Sequence, residues 1–379
     1  MTRSVACLAI ALLAAGLATA QDARLAADLR QHNTALLLAR HMDRALVARD
    51  EVYGQGDRDL LTVCQQTQTT LLFLTVQSIT AGQLGPADAY RWRNLVGQAH
   101  RQGMRVYAVC GDSATVYDYG VLLRAVDELM RFGASALPGE QFDGLLVDLP
   151  LLSNLAAETA ASSGAAPAAA PATGTTTAVT PTLQPTDPTG QPLAATGPGV
   201  PELLKQMALL ARLRDYLQTR YTNTAFDLGC TVPVSLSTMV NFRGNTKPAV
   251  QHFVDLTDFV VGHNLPHNTT DVAEAADALL AYAGSLRRPV YLRIEVRPMV
   301  YDSAQLMTLF GSDQLFVEQT VSNILEVCGT RPGLGGVVVD DWAHWVAMPI
   351  LRSTERAPVP ATPVDLDASR QRDGRSTRR

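Results

Sequence analysis

The sequence predicts a single-domain (β/α)8 barrel, an α/β fold, and three observations support this. From residue 44 onward, short apolar and β-branched runs alternate with longer amphipathic stretches, which is typical of β-α units around a parallel sheet. Eight such runs occur, the number that closes a barrel. No glycine-rich turn follows the first run, which weakens the alternative of a nucleotide-binding, doubly wound open sheet. About 310 residues remain outside the N-terminal signal pattern and the low-complexity segment, enough for one large barrel or two ordinary domains.

The eight predicted strands are separated by turn residues and predicted helices. The strands are expected at residues 45–49, 70–76, 105–109, 144–148, 226–232, 258–262, 290–296 and 336–340. The helices are expected at residues 57–67, 86–102, 119–132, 201–220, 270–286 and 313–328. Gly103 suits the left-handed turn that ends a helix, and Thr270 or Asp271 can cap the sixth helix. Residues 236–254 give the weakest helix prediction because they contain Gly244 and Pro248.

The first twenty residues have the pattern of an export signal. Arg3 precedes an apolar run at 8–17, and the small-residue motif Ala18-Thr19-Ala20 precedes Gln21. The alternative is a membrane anchor, but the run is shorter than the ~20 apolar residues that span a bilayer. We therefore expect cleavage of residues 1–20, no integral membrane segment in the mature chain, and a secreted or periplasmic location.

Three further segments lie outside the regular pattern of the barrel, which is expected to span residues 44–352. Residues 21–43 predict an added helix on the bottom or side of the barrel. Residues 156–199, after the fourth strand, consist almost entirely of Ala, Pro, Thr, Gly and Ser, a composition typical of disorder. The tail at 353–379 has six arginines and no apolar periodicity, so we expect it to be disordered as well.

Charge and residue spacing argue against several classes of function. The formal net charge is −5, and no basic stripe occurs in the body of the chain, so we expect no nucleic-acid partner. No C-x-x-C pair is present, and His263 and His344 match no metal-ligand spacing. No G-x-S-x-G motif is present either. We therefore expect no metal, no cofactor and no nucleophilic serine or cysteine triad.

Polar side chains follow the carboxyl ends of most predicted strands, where barrel enzymes bind their substrates. The candidate catalytic acids are Glu295, Asp148, Glu51 and Asp340. The candidate substrate-binding residues are Asp112, His263, Asn264, Asp341, Trp342 and Trp345. Paired carboxylates and aromatic rings are typical of carbohydrate chemistry. The alternative is structural, because strand-end acids often bond loop amides or pair with arginines such as Arg49 and Arg297.

Two segments carry a resemblance to a known family. The segment 142–150, FDGLLVDLP, resembles the strand-four signature of chitinase-like glycosidases, in which Phe, Asp and Gly lead into D-x-D-x-E. Gly335 to Val339, followed by Trp342, is similar to the last strand of that superfamily, which ends in a tryptophan at the floor of the sugar pocket. The resemblance implies a secreted, glycoside hydrolase-like barrel with a carbohydrate ligand.

The resemblance breaks down where catalysis would occur. Asp148 is retained, but Leu146 stands at the middle aspartate and Pro150 at the final glutamate, which is the proton donor. Proline cannot donate a proton, and a general acid typically contributes ~10²- to 10⁴-fold to the rate. The favoured hypothesis is therefore a non-catalytic carbohydrate-binding barrel, a pseudoenzyme. Its aromatic contact surface would come from Trp342, Trp345 and Tyr53.

The alternative hypothesis is an active glycosidase in which a different carboxylate supplies the proton. Glu295 is best placed for this role, and Glu51 is next. The second carboxylate would come from Asp148, Glu51 or Asp340. This hypothesis requires two carboxyl groups roughly 5 to 10 Å apart across the barrel mouth. It fails if these acids are all bound to arginine or to loop amides.

The cysteine positions suggest one disulfide. Cys64 lies on the helix after the first predicted strand and Cys328 on the helix before the last, and barrel closure would make these helices neighbours. A Cys64–Cys328 bond would close a very long loop, worth about 4 to 5 kcal/mol in the chain-entropy model. The alternative is two buried thiols. Cys110 and Cys230 fall on strands and are expected to be small interior hydrophobes.

Overall fold

The computed structural model describes eight stretches of the chain. They are residues 23–49, 55–76, 85–111, 119–149, 200–221, 225–266, 268–297 and 308–350. The predicted signal at 1–20, the low-complexity segment at 156–199 and the tail at 353–379 lie outside the described residues.

The strands form a closed parallel barrel and one small antiparallel hairpin. In chain order they are β1 (Asp43–Ala48), β2 (Leu71–Thr75), β3 (Arg105–Cys110), β4 (Gly144–Val147), β5 (Asp227–Pro233), β6 (Met239–Phe242), β7 (Asn245–Pro248), β8 (Phe259–His263), β9 (Val290–Glu295) and β10 (Leu334–Asp340). The closed order is β1-β10-β9-β8-β5-β4-β3-β2, and β6 pairs with β7. The predicted (β/α)8 fold class is therefore confirmed.

The helices lie between the barrel strands, as the sequence pattern predicts. They are α1 (23–39), α2 (Gln55–Gln66), α3 (Pro86–Arg101), α4 (Tyr119–Ala134), α5 (Val200–Arg220), α6 (Ala249–Leu256), α7 (Thr269–Ser285), α8 (Gln314–Cys328) and α9 (Trp342–Ala347). None of the helices within these ranges combines the length and apolar character needed to cross a membrane.

Two local predictions need correction. The cap of α7 is Asn268, whose side-chain oxygen accepts a hydrogen bond of 3.1 Å from the Thr270 amide. Thr270 and Asp271 are therefore not the cap, because the helix begins one residue earlier than predicted. Residues 239–248 form the β6–β7 hairpin, which turns at Gly244 with a φ of 80°. The helix follows only after Pro248, where the fixed proline φ suits the start of α6.

Aromatic rings fill the middle of the barrel. Side chains alternate between the interior and the helical layer along each strand, and Phe73, Tyr107, Phe259 and Tyr291 share one interior cluster. The ring centroids of Tyr107 and Phe259 are 4.9 Å apart. Gly229 on β5 makes room for them, because a Cβ atom there would lie 2.1 Å from the Phe259 ring.

A polar network closes the amino-terminal end of the barrel. The Tyr107 hydroxyl donates to Asp227 at 2.7 Å, and the Tyr291 hydroxyl donates to Asp43 at 3.0 Å. Arg105 pairs with the same Asp43 carboxylate at 2.5 Å. These bonds satisfy the polar tips of the interior tyrosines, so this end of the barrel is structural.

The added amino-terminal helix, α1, packs on the side of the barrel against α8. Arg30 and Asn33 on α1 bond the Glu318 carboxylate at 3.3 and 3.1 Å. Glu318 is fully buried and also accepts hydrogen bonds of 2.6 and 3.1 Å from Arg44 of β1. Burial opposes ionisation of Glu318, but the Arg44 charge outweighs it and holds the pKa of the carboxyl below its ordinary value.

The disulfide predicted between Cys64 and Cys328 does not form in the structure, where both residues are free and buried thiols. Arg40, directly after α1, donates a 2.7 Å hydrogen bond to the Leu325 carbonyl of α8. Ala27 of α1 and Val63 of α2 line the same cavity of about 270 Å³. Burial also raises the pKa of the Cys64 thiol to about 12, which makes it unreactive.

Replacing Glu318 tests the buried ion pair under α1. Glu318→Ala is expected to lower the free energy of unfolding by about 3 to 5 kcal/mol in urea at neutral pH, because Arg44 stays buried without its partner. Glu326→Ala, at an exposed position of the same helix, should change it by less than about 0.5 kcal/mol. Since the native pKa of Glu318 is depressed, its contribution should be lost as the pH falls below about 4. Equal losses at the two positions would contradict this assignment.

Alkylation of the exported protein tests the state of the cysteines. The chain is unfolded without a reductant, treated with iodoacetamide and analysed by peptide mass spectrometry. Cys64 and Cys328 are both expected to carry the alkyl group, because both are free thiols in the structure. Recovery of a linked peptide containing both residues would contradict that assignment.

Candidate functional site

The carboxyl-terminal end of the barrel carries a layer of charged side chains. Each follows an interior residue by two positions, so the alternation of the strand points it inward: Arg49 follows Val47, for example, and Asp340 follows Val338. We define the mouth cluster as Arg49, Asp148, Arg293, Glu295, Arg297 and Asp340. Its three carboxylates and three guanidinium groups form a continuous set of ion pairs.

Asp340 lies at the centre of the mouth cluster and is fully buried. Arg49 holds it with two hydrogen bonds, 2.9 Å from Nε to Oδ1 and 2.6 Å from Nη2 to Oδ2. Arg293 approaches the same Oδ2 at 3.5 Å. Burial opposes ionisation, but these two guanidinium groups outweigh it and hold the pKa of Asp340 well below its ordinary value. Asp340 is therefore an ionised carboxylate, and both of its oxygens already accept a hydrogen bond from Arg49.

Glu295, the leading candidate for an acid, is also paired with arginine. Its Oε1 lies 2.6 Å from Arg293 Nη2, and its Oε2 lies 3.5 Å from Arg297 Nε. Burial nevertheless raises the pKa of Glu295 above its ordinary value, with Arg293 acting in the opposite direction. The pKa of Glu295 is thus shifted upwards, whereas the pKa values of the other two carboxylates are shifted downwards.

Asp148 is bound from three directions. Its oxygens lie 3.6 Å from Arg293 and 3.5 Å from Arg49, and it accepts a 2.9 Å hydrogen bond from the Thr231 hydroxyl. Burial opposes ionisation of Asp148, but the two arginines lower its pKa on balance. Gly111 at the end of β3 has a φ of 149°, and a Cβ atom there would lie 2.1 Å from the Asp148 carbonyl oxygen. Only glycine therefore permits this close approach.

His263 and Asn264 lie beside the mouth cluster at the end of β8. Both are buried, and Asn264 has a left-handed φ of 57°. Burial, reinforced by the Arg293 charge, lowers the pKa of His263 to about 4, so the imidazole is neutral at physiological pH. Within the part of the chain that the structure describes, the His263 Nδ1 and Asn264 Nδ2 atoms have no hydrogen-bond partner.

The remaining candidate residues are placed differently. Asp341 caps α9 by accepting from the Ala343 amide at 3.1 Å. The Trp345 side chain is 2% exposed and lies under the Arg30 and Arg44 guanidinium groups, away from the mouth cluster. Trp342, which begins α9, is buried and its Nε1 has no hydrogen-bond partner. Glu51, Tyr53, Asp112 and Pro150 lie outside the described residues.

Two contributors to the site are absent from the sequence-based candidates. Arg293 contacts all three carboxylates of the mouth cluster, and Thr231 links Asp148 to the neighbouring strand. The signal for Arg293 is strand periodicity, since it lies two residues before Glu295 and shares its face. Thr231 gives no such signal, because a threonine is common in any strand.

The described residues contain no group of three or more His, Cys, Asp and Glu side chains placed to hold a metal ion. The acids of the mouth cluster face arginines, which repel a cation. The chemistry open to this part of the barrel is therefore hydrogen bonding, charge pairing and proton transfer.

No protein-family model and no curated protein sequence matches the chain. Among solved structures, the chain is similar to the PgaB (BpsB) glycoside hydrolase domain from Bordetella bronchiseptica, with 10% identity, coverage of 78% of this chain and 93% of that one, and a TM-score of 0.44. The chain is also similar to a chitinase from Chromobacterium violaceum, with 9% identity, coverage of 80% of this chain and 95% of that one, and a TM-score of 0.40.

A deoxyribose-phosphate aldolase candidate from Coccidioides immitis is similar to the chain to the same degree, with 10% identity, coverage of 80% and 83%, and a TM-score of 0.40. A fold does not by itself fix a function. The strand pairing defines the class of this protein as a (β/α)8 barrel. Its function must be argued from the mouth cluster.

The pH dependence of stability tests the placement of His263. Because its pKa is lowered on folding, its contribution is complete above about pH 6.5 and is lost as the pH falls towards 4. The stability difference between the wild type and His263→Gln should therefore shrink on acidification, by up to ~3 kcal/mol. His100→Gln is the control with the opposite sign, since the hydrogen bond to Asp143 raises the pKa of His100. The same trend for both variants in urea unfolding would contradict the placement.

Proposed function

We propose that the protein is an exported, glycoside hydrolase-like barrel that binds a carbohydrate at the carboxyl-terminal mouth and does not hydrolyse it. The placement of the carbohydrate at the mouth is supported by the general position of ligand sites at the carboxyl-terminal end of parallel barrels. The ligand class is supported by the strand-four and strand-eight segments that resemble chitinase-like glycosidases. The export is supported by the signal pattern at residues 1–20.

One observation carries the non-hydrolytic part of the proposal: each described carboxylate of the mouth cluster is paired with arginine. Glycoside hydrolysis needs one carboxylic acid that protonates the leaving oxygen and a second carboxylate that attacks the sugar or activates water. Asp340 has both oxygens on Arg49, and Asp148 has one on Thr231. The sequence also has Pro150 at the position of the resembling signature's proton donor.

A second candidate function is favoured by one specific observation. Burial raises the pKa of Glu295, whereas arginines outweigh burial and lower the pKa of Asp148 and of Asp340. Two carboxyl groups with diverging pKa values are the arrangement that acid and base roles require. The second candidate is therefore a glycosidase with Glu295 as the acid and Asp148 or Asp340 as the second carboxylate. It ranks below the first, because all three carboxylates are paired with arginine.

A paired binding and hydrolysis assay separates the two functions. Oligosaccharides are titrated into the purified mature protein by calorimetry, and the same mixtures are analysed for new reducing ends after long incubation. We expect binding without product. Product release by the wild type would contradict the proposal. In that case Glu295→Gln should reduce the rate by ~10²- to 10⁴-fold, the typical contribution of a general acid. Glu326→Gln, at an exposed position on α8, should leave the rate unchanged.

A further inference from the structure

Two of the buried polar atoms beside the mouth cluster that lack a hydrogen-bond partner among the described residues are donors. Among the described residues, Arg293 Nε and Asn264 Nδ2 are buried donors without a partner. A buried polar atom without a partner is energetically costly, so such atoms point to a ligand that supplies the partner when it is bound. Two of them, one on β9 and one directly after β8, favour a ligand with acceptor atoms.

Arg297 adds an accessible cation to this set. Its side chain is 35% exposed, and its contacts are long, 3.5 Å to Glu295 and 3.9 Å to Asp340. Its backbone is held in place, because the Thr308 hydroxyl donates to the Arg297 carbonyl at 3.2 Å. A guanidinium group has five N–H donors in a planar fork, so Arg297 retains donors that can bind an anion.

The acceptors of the mouth cluster, by contrast, are largely occupied. Asp340 accepts two hydrogen bonds from Arg49, and Glu295 lies 2.6 Å from Arg293. A neutral sugar presents hydroxyl groups that need acceptors as well as donors, whereas a carboxylate only accepts. A site with occupied acceptors and open donors therefore matches an acidic saccharide better than a neutral one.

We propose that the saccharide bound at the mouth is a uronic acid, with its carboxylate on the Arg297 guanidinium and its remaining acceptors towards Asn264 and Arg293. This inference rests on the proposed carbohydrate-binding function and specifies the substrate class. It assigns Arg297 as the residue that distinguishes acidic from neutral sugars. The geometry supports it: the Asp340 oxygens are taken by Arg49, whereas Arg297 is 35% exposed and makes only long contacts to the carboxylates.

The test compares an acidic sugar with its own uncharged form. The probes are oligogalacturonate, its carboxyl methyl ester, and neutral maltotriose, each titrated by calorimetry into the mature protein. Oligomers of alginate and hyaluronan extend the acidic arm to other uronic acids. We expect the acid to bind at least tenfold more tightly than the ester, which keeps the same ring and loses the charge.

Arg297 variants locate the effect. Arg297→Gln should reduce affinity for the acid at least tenfold and leave affinity for the ester unchanged, and Arg297→Lys should give an intermediate loss because it keeps the charge without the fork. Arg131→Gln is the matched control, because Arg131 is an exposed arginine in a surface pair on α4. Melting curves verify that each variant is folded. Arg297 is partly exposed, so its replacement should leave the fold intact.

Each outcome decides between the two proposals. Equal affinity for acid and ester, or binding of maltotriose alone, would overturn the uronic acid inference and leave carbohydrate binding in place. Displacement of the acid by an equal concentration of sodium sulfate would show simple anion attraction and would also overturn it. If no saccharide binds, both proposals fail.

Discussion

Pairing of β1 with β10 is the constraint on which the site depends. The register sets Val47 opposite Asp340, so Arg49, two residues further along β1, reaches the Asp340 carboxylate with two hydrogen bonds. The same closure brings Arg49 within 3.5 Å of Asp148 from the opposite part of the barrel. An open sheet would remove both Arg49 hydrogen bonds from the buried Asp340 and leave it only the longer contacts to Arg293 and Arg297.

The two ends of the barrel use charge differently. At the amino-terminal end, Asp43 and Asp227 satisfy the hydroxyls of Tyr291 and Tyr107, and the network stops there. At the carboxyl-terminal end, ion pairs occupy the acids, but several donors remain open. The apolar rings between the two ends separate the networks. Substitutions that change ligand binding at the mouth can therefore occur without disturbing the polar network at the amino-terminal end.

Much of the fold could be predicted because apolar periodicity reports directly on burial, and the predicted barrel strands match the observed ones to within two residues. The β6–β7 hairpin was missed, since its alternation is short and interrupted at Gly244. The candidate acids were found by their position at strand ends, but their arginine partners depend on register and closure. Trp345 is a second example of what the sequence does not reveal. Its position close after the last strand can be read from the sequence, but its burial beneath Arg30 of α1 cannot.

A double-mutant cycle on Arg49 and Asp340 tests the central claim that barrel closure ties the mouth cluster together. The free energy of unfolding is measured for the wild type, Arg49→Met, Asp340→Asn and the double variant. The account predicts a coupling energy of about 1 to 3 kcal/mol, as found for buried charged groups in contact. A coupling energy within about 0.3 kcal/mol of zero, the additive behaviour of distant sites, would contradict it.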